Sequence, residues 1–126
     1  MAQMTHNRMI RRSFDEPEEV RPFEQGTGRL ELVNLEDGPV GRATFAPGWK
    51  WSEHVKPIAG TDSCEAAHAG YIISGRLKVV MDNGDAMEFG PGDFMECPAG
   101  HDAWTLGYEA CVLVDWQGFA DYAKRH

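Results

Sequence analysis

Between Arg29 and Trp116 the chain alternates apolar and polar residues with a period of two, and turn residues interrupt the alternation at short intervals. Leu30 and Leu32 alternate with charged residues, and Ala43 and Phe45 do the same before Pro47-Gly48. Leu77, Val79 and Met81 alternate with Arg76 and Lys78, the mark of a half-buried strand. Asp82-Asn83-Gly84-Asp85 carries the Asn-Gly signal of a tight hairpin, and the strand around Met87 and Phe89 ends at Gly90-Pro91-Gly92-Asp93. Further strands are expected over 66–74, broken by Gly75, and over 93–97, 102–106 and the apolar run 110–116. Trp49 and Trp51 flank Lys50 and lead through His54 into a loop marked by Pro57, Gly60 and Asp62. A short helix is expected only at 119–125. Fourteen glycines and seven prolines, above the ordinary share, fit this succession of short strands. The pattern reads as all-β, a sandwich or a barrel.

A chain of 126 residues fits one domain, read here as 23–126 with an arm over 1–22. In that arm Arg8, Arg11 and Arg12 precede Asp15, Glu16, Glu18 and Glu19, a mixed-charge stretch expected to be solvated or to add a strand to a partner's sheet. The net charge of −8 argues against nucleic acid as a partner, because an acidic domain repels phosphates. The longest apolar runs fall far short of the roughly 20 residues a membrane span needs. The N-terminal stretch has no apolar core of a signal peptide, so a soluble, cytoplasmic protein is expected. Cys64, Cys97 and Cys111 form no CxxC pair, which removes zinc-ribbon and thioredoxin readings.

Of five histidines, His6 and His126 fall near the ends, whereas His54, His68 and His101 sit on or beside expected strands. Neutral imidazole is the commonest transition-metal ligand among side chains. Three imidazoles converging inside a barrel leave open positions for water or substrate. Spacing alone is equally compatible with three unrelated histidines.

The order of the motifs resembles the cupin family. Cupins carry a first signature of Gly, five residues, His-x-His, three or four residues, Glu, six residues, Gly. Here Gly48 precedes His54 by five intervening residues, and His68 precedes Gly75 by six. The second signature resembles Pro91-Gly92-Asp93, four residues, then Pro98-Ala99-Gly100 leading into a His-bearing strand. The matches cover roughly residues 41–116. The resemblance implies a double-stranded β-helix, or jelly-roll, barrel that holds one divalent transition metal, with zinc or iron suited to the ligands.

The chain departs from the signature in ways that bear on chemistry. Lys56 stands where the second His of His-x-His belongs, and His68 stands in place of Glu. Residues 57–67 lengthen the gap between the two halves. The second-motif His would fall at Ala103, whereas His101 comes two residues earlier and shares its face if the strand starts early. By the same parity Cys64, Ala66, His68, Gly70 and Ile72 share a face if that strand extends back. His54, His68 and His101 are therefore the expected metal ligands, with Cys64 a candidate fourth. Glu65, Asp102 and Tyr71 are expected to point away from the interior. Trp49, Trp51, Trp104 and Trp116 are candidate pocket walls or packing residues, and Arg42, Lys50 and Arg76 are candidate cations in the cavity.

The family resemblance implies metal-dependent isomerases, lyases or dioxygenases acting on a small organic ligand, and equally non-catalytic ligand-binding or sensing proteins. A barrel whose metal site has decayed is a third reading. It also implies a homodimer, to which the face carrying Tyr71 and Ile73 would contribute.

Overall fold

The structure is a computed structural model that describes residues 9–124. Within them lie nine strands: β1 (Glu19–Pro22), β2 (Gly28–Leu35), β3 (Gly38–Phe45), β4 (His68–Ser74), β5 (Arg76–Met81), β6 (Ala86–Phe89), β7 (Phe94–Cys97), β8 (His101–Leu106) and β9 (Cys111–Asp115). Two one-turn helices, α1 (Trp51–His54) and α2 (Lys56–Ala59), interrupt the strands, and a 3-10 turn spans Glu24–Gly26. The alternation read from sequence is the alternation of burial. Along β8, His101, Ala103 and Thr105 are buried while the residues between them are half-exposed, and β9 repeats the pattern with Cys111, Leu113 and Asp115.

The strands form two antiparallel sheets, ordered β1-β2-β3-β9-β4-β7 and β6-β5-β8. Their inner faces share one core, in which Leu30, Ala43, Phe45, Ile72 and Leu113 of the larger sheet meet Leu77, Val79 and Ala103 of the smaller. The ladders do not close into a continuous barrel, since β6 and β7 are each the edge of a different sheet. Gly75 turns the chain from β4 into β5 in the left-handed region (φ 72), and a Cβ there would collide with the backbone of Ala110 and Cys111. Only glycine fits a site both left-handed and that close to another strand.

Three segments differ from the sequence expectation. Glu19–Pro22, assigned to the arm, pairs with β2 of the same chain in the register Arg21↔Leu30. The stretch after Trp49 is two helical turns instead of an unstructured loop. Pro57 sits in the first turn of α2, where its missing N–H costs nothing, and Gly60 ends that turn in the left-handed conformation. The expected C-terminal helix is absent from the described residues 119–124, which form turns, with Ala123 at φ 55. The physical reason lies in Arg21. Its buried guanidinium donates to the carbonyls of Phe119, Ala120 and Tyr122, taking acceptors that a helix would use internally. Phe119 and Tyr122 are buried in the core, and the segment 117–124 that carries them is held to β1 by Arg21 as a strap. His6 and His126 fall outside the described residues.

Candidate metal centre

His68 opens β4, with Gly70 and Ile72 following on the same buried face. Across the β4–β9 ladder Gly70 stands opposite Asp115, so Asp115 is a diagonal neighbour of His68 on that face. Their side chains meet at 2.6 Å between His68 Nδ1 and Asp115 Oδ2. Asp115 is fully buried, and its other carboxylate oxygen accepts the N–H groups of Gln117 and Gly118. A carboxylate accepts and does not donate, so Nδ1 of His68 carries a proton and Nε2 is the nitrogen left for another partner. Gly118 packs so closely on the His68 ring that a Cβ there would overlap it.

His101 opens β8 and shares the inward face with Ala103. Its Nδ1 lies 2.9 Å from the carbonyl of Pro98, which only accepts, so Nδ1 is again the protonated nitrogen and Nε2 the free one. Burial lowers its pKa below the usual value, and the imidazole is neutral at neutral pH. The two rings meet edge to face at 5.3 Å between centroids.

Cys64 does not reach this place along β4, because residues 65–67 leave the ladder before His68. It arrives through an isolated bridge to β8, where Cys64 and His101 exchange both backbone hydrogen bonds. That pairing sets its sulfur 3.7 Å from His68 Nε2. Cys64, His68 and His101 each offer one ligand atom, and these atoms lie within 4.8 Å of one another. In a tetrahedral zinc site with bonds of about 2.3 Å to sulfur and 2.05 Å to nitrogen, the S···N edge is about 3.6 Å. The observed separation matches that edge. Both imidazoles are also oriented as metal-ligating histidines are, with Nδ1 held by a carboxylate or a carbonyl and Nε2 turned to the other donors or to the interior.

The remaining residues singled out in the sequence lie elsewhere. His54 is buried at the end of α1, but its Nδ1 accepts the N–H of Lys50 and it is not among the converging donors. Lys56 is on α2 and faces Asp62. Glu65 is exposed, Asp102 accepts the N–H of Ser52, and Tyr71 packs outward against Phe94. Trp49 and Trp51 line the interior, whereas Trp104 lies outside against Lys50 and Lys78, and Trp116 is half-exposed. None of the candidate cations lines the interior cavity, since Arg42 pairs with Glu31, Lys50 lies over Trp104 and Arg76 faces Glu88. Asp115, Arg21 and the strap aromatics went unnoticed in the sequence. For Asp115 a signal existed: it shares the inward parity of Cys111 and Leu113, and an acid on a buried face needs a partner.

Cys64, His68 and Asp115 also line up as a thiol–imidazole–carboxylate relay. A nucleophilic cysteine reacts as the thiolate, and here burial pushes the Cys64 thiol up to about 12. Burial alone works against the thiolate, which forms when a cation stands beside the sulfur.

Access to the three donors is narrow. The cavity inside the sheets, lined by His68, His101, Trp49 and Tyr122 among others, holds only about 20 Å³. Phe119 and Tyr122 of the strap close it, with ring centroids 5.4 and 5.6 Å from His68. Outside, a groove of about 490 Å³ runs between the strap and the segment Trp51–Ala67, with Cys64 and Tyr122 in its wall.

Comparisons with known proteins agree with this architecture. No curated protein matches the chain. Among solved structures, a protein of unknown function from Rhizobium leguminosarum bv. viciae superposes with a TM-score of 0.60 at 17% identity, covering 88% of this chain and 99% of that one. The EutQ protein of Clostridium difficile gives 0.51 at 15% identity over 79% and 69% of the two chains. An oxalate decarboxylase mutant from Bacillus subtilis gives 0.57 at 20% identity, covering 90% of this chain but 31% of the enzyme. At these identities the likeness is one of fold. The EutQ-like cupin domain matches residues 44–114, more than half of the sequence and the stretch from the end of β3 into β9 that holds the three donors, and the chain belongs to that cupin family.

Proposed function

We propose that this protein binds one divalent transition metal, zinc or iron, through Cys64, His68 and His101, and uses it on a small organic ligand as a metal-dependent enzyme. The observation that carries the proposal is the convergence of three buried donor atoms within 4.8 Å. Two imidazoles and a thiolate are a borderline-soft set suited to these metals. A bound divalent metal would supply Lewis acidity at a coordination position that three protein ligands leave open. The chain's own residues do the rest. Asp115 holds His68 in the tautomer that presents Nε2, and Pro98 does the same for His101. Cys64 gives up its proton on binding, so affinity falls as the solution becomes more acidic. The strap screens the donors from bulk solvent, and the groove beside Cys64 is the route by which a ligand would approach. In this reading the two sheets are the halves of a jelly-roll barrel, and His54 serves the fold.

The alternative is a non-catalytic cupin that binds or senses a small molecule. The small interior favours it, since about 20 Å³ admits no organic substrate while the strap is closed. Homodimer formation belongs to the same proposal and is supported by the exposed cluster of Ile73, Phe94 and Trp116 beside the β7 edge. The deciding experiment is elemental analysis of protein purified without an affinity tag, repeated for Cys64→Ser and His101→Ala. The expected result is about one metal per chain, sharply reduced in both variants. A metal-free wild-type protein that also takes up no zinc or iron when challenged refutes the reading.

A further inference from the structure

Among the described residues one buried side-chain polar atom lacks a hydrogen-bond partner, the indole Nε1 of Trp49. Trp49 is only 1% exposed, so bulk water does not solvate that N–H. Leaving a buried donor unpaired is costly, and native proteins rarely accept it without a reason. Trp49 lines the 20 Å³ cavity, and so do His68 and His101. A cavity holds a water once its volume exceeds roughly 10–15 Å³ and it offers two to four polar partners. This one has the room, and its polar partners are complementary. Trp49 is a donor without an acceptor; His101 has its Nδ1–H on the Pro98 carbonyl and its Nε2 available to accept, while His68 Nε2 already faces the Cys64 thiol at 3.7 Å. The rest of the lining, including Phe45, Val79, Met95 and Leu113, is apolar and offers a ligand no competing hydrogen bond.

We propose that this cavity is a one-oxygen site in which Trp49 Nε1–H is the fixed donor. Its occupant is a single water in the metal-free protein, and a water or one oxygen atom of a small ligand when the metal is bound. The water accepts from Trp49 and donates to His101 Nε2. With a metal on the two imidazoles, the oxygen keeps the Trp49 bond and takes the open side of the site. Trp49 is then a positioning residue that fixes where an oxygen stands, and the cavity's size restricts the inner position to a single small group. The second half of this inference rests on the metal reading above; the first does not.

The test is NMR of the full chain with 15N-labelled tryptophan, in which single Trp→Phe variants at 49, 51, 104 and 116 assign the four indole resonances. If Trp49→Phe does not fold, the other three variants assign its resonance by elimination. In metal-free protein the Trp49 indole proton is expected to show a cross-peak to a long-lived water, and its resonance is expected to move when zinc is added. His101→Ala, which leaves Trp49 in place, is expected to abolish the zinc-dependent movement. Absence of the water cross-peak overturns the proposal, because the N–H then rests dry, for instance against the rings of Phe23 or Phe45 that pack on Trp49. Bound zinc with an unmoved Trp49 resonance overturns the placement of the oxygen beside the metal. A water cross-peak in protein that binds no zinc upholds the one-oxygen site and refutes the metal reading alone.

Discussion

Asp115→Asn changes one atom at the hinge of the site. In the wild type the carboxylate accepts three hydrogen bonds, from His68 Nδ1–H and from the N–H groups of Gln117 and Gly118. An asparagine has a single acceptor oxygen, and its amide nitrogen only donates. If the oxygen stays with Gln117 and Gly118, the NH2 faces His68 Nδ1 and drives its proton to Nε2, the atom that faces Cys64. If the oxygen turns to His68, two backbone donors at the root of the strap meet an NH2. The first arrangement keeps three bonds but with the wrong His68 tautomer, whereas the second loses buried bonds, at about 1–3 kcal/mol of stability in metal-free protein. Partners of metal-ligating histidines contribute about 10–100-fold in affinity, or roughly 1.4–2.7 kcal/mol. Zinc affinity, measured by competition with a chromophoric chelator, is therefore expected to drop by that factor. Urea unfolding of the metal-free variant gives the stability loss separately. Wild-type zinc affinity in a folded Asp115→Asn protein refutes the argument that this carboxylate sets the His68 tautomer.

Three further outcomes follow from the geometry. His54→Ala and Lys56→Ala are expected to retain full metal by elemental analysis, whereas His68→Ala loses most of it; equal losses at His54 and His68 would return His54 to the ligand set. Gly118→Ala drives a Cβ into the His68 ring and the Ala67 carbonyl, and the urea midpoint is expected to fall by an amount worth about 1–3 kcal/mol; an unchanged midpoint shows that the strap relaxes freely. For metal-free protein, the lowered His101 pKa means the unfolded chain takes up a proton first as pH falls, so the contribution of this residue is complete above about 6.5 and is lost as pH drops through and below that value. His101→Ala is expected to flatten that part of the stability profile, and a profile equally steep in the variant contradicts the assignment.

How much of this was legible depended on whether the deciding contact was local. Period-two alternation depends on neighbours along one strand, and it located β2 through β9 to within a few residues. The inward parity of His101 with Ala103 was readable for the same reason. Cys64 was judged by its spacing from His68, yet it reaches the site by pairing with β8, a contact that no local period encodes. His54 matched a motif position but sits on one of two helical turns too short to leave a periodic signal. The absent C-terminal helix turns on Arg21, a residue about a hundred positions upstream whose guanidinium competes for the backbone carbonyls. Cooperation across that distance is tertiary by nature.

The Arg21 clasp also sets an order of events during synthesis. Ribosomes add about 5–20 residues per second, so Arg21 emerges several seconds before the carbonyls of Phe119, Ala120 and Tyr122 exist to receive it. Cys64, His68, His101 and Asp115 all precede the strap in the chain. Cys64 and His68 are thus complete some fifty residues before Phe119, but Asp115 only four residues before it. The cover over His68 is laid when residues 119–122 become free to meet Arg21, so the contact between the two distant segments belongs to a late step of folding.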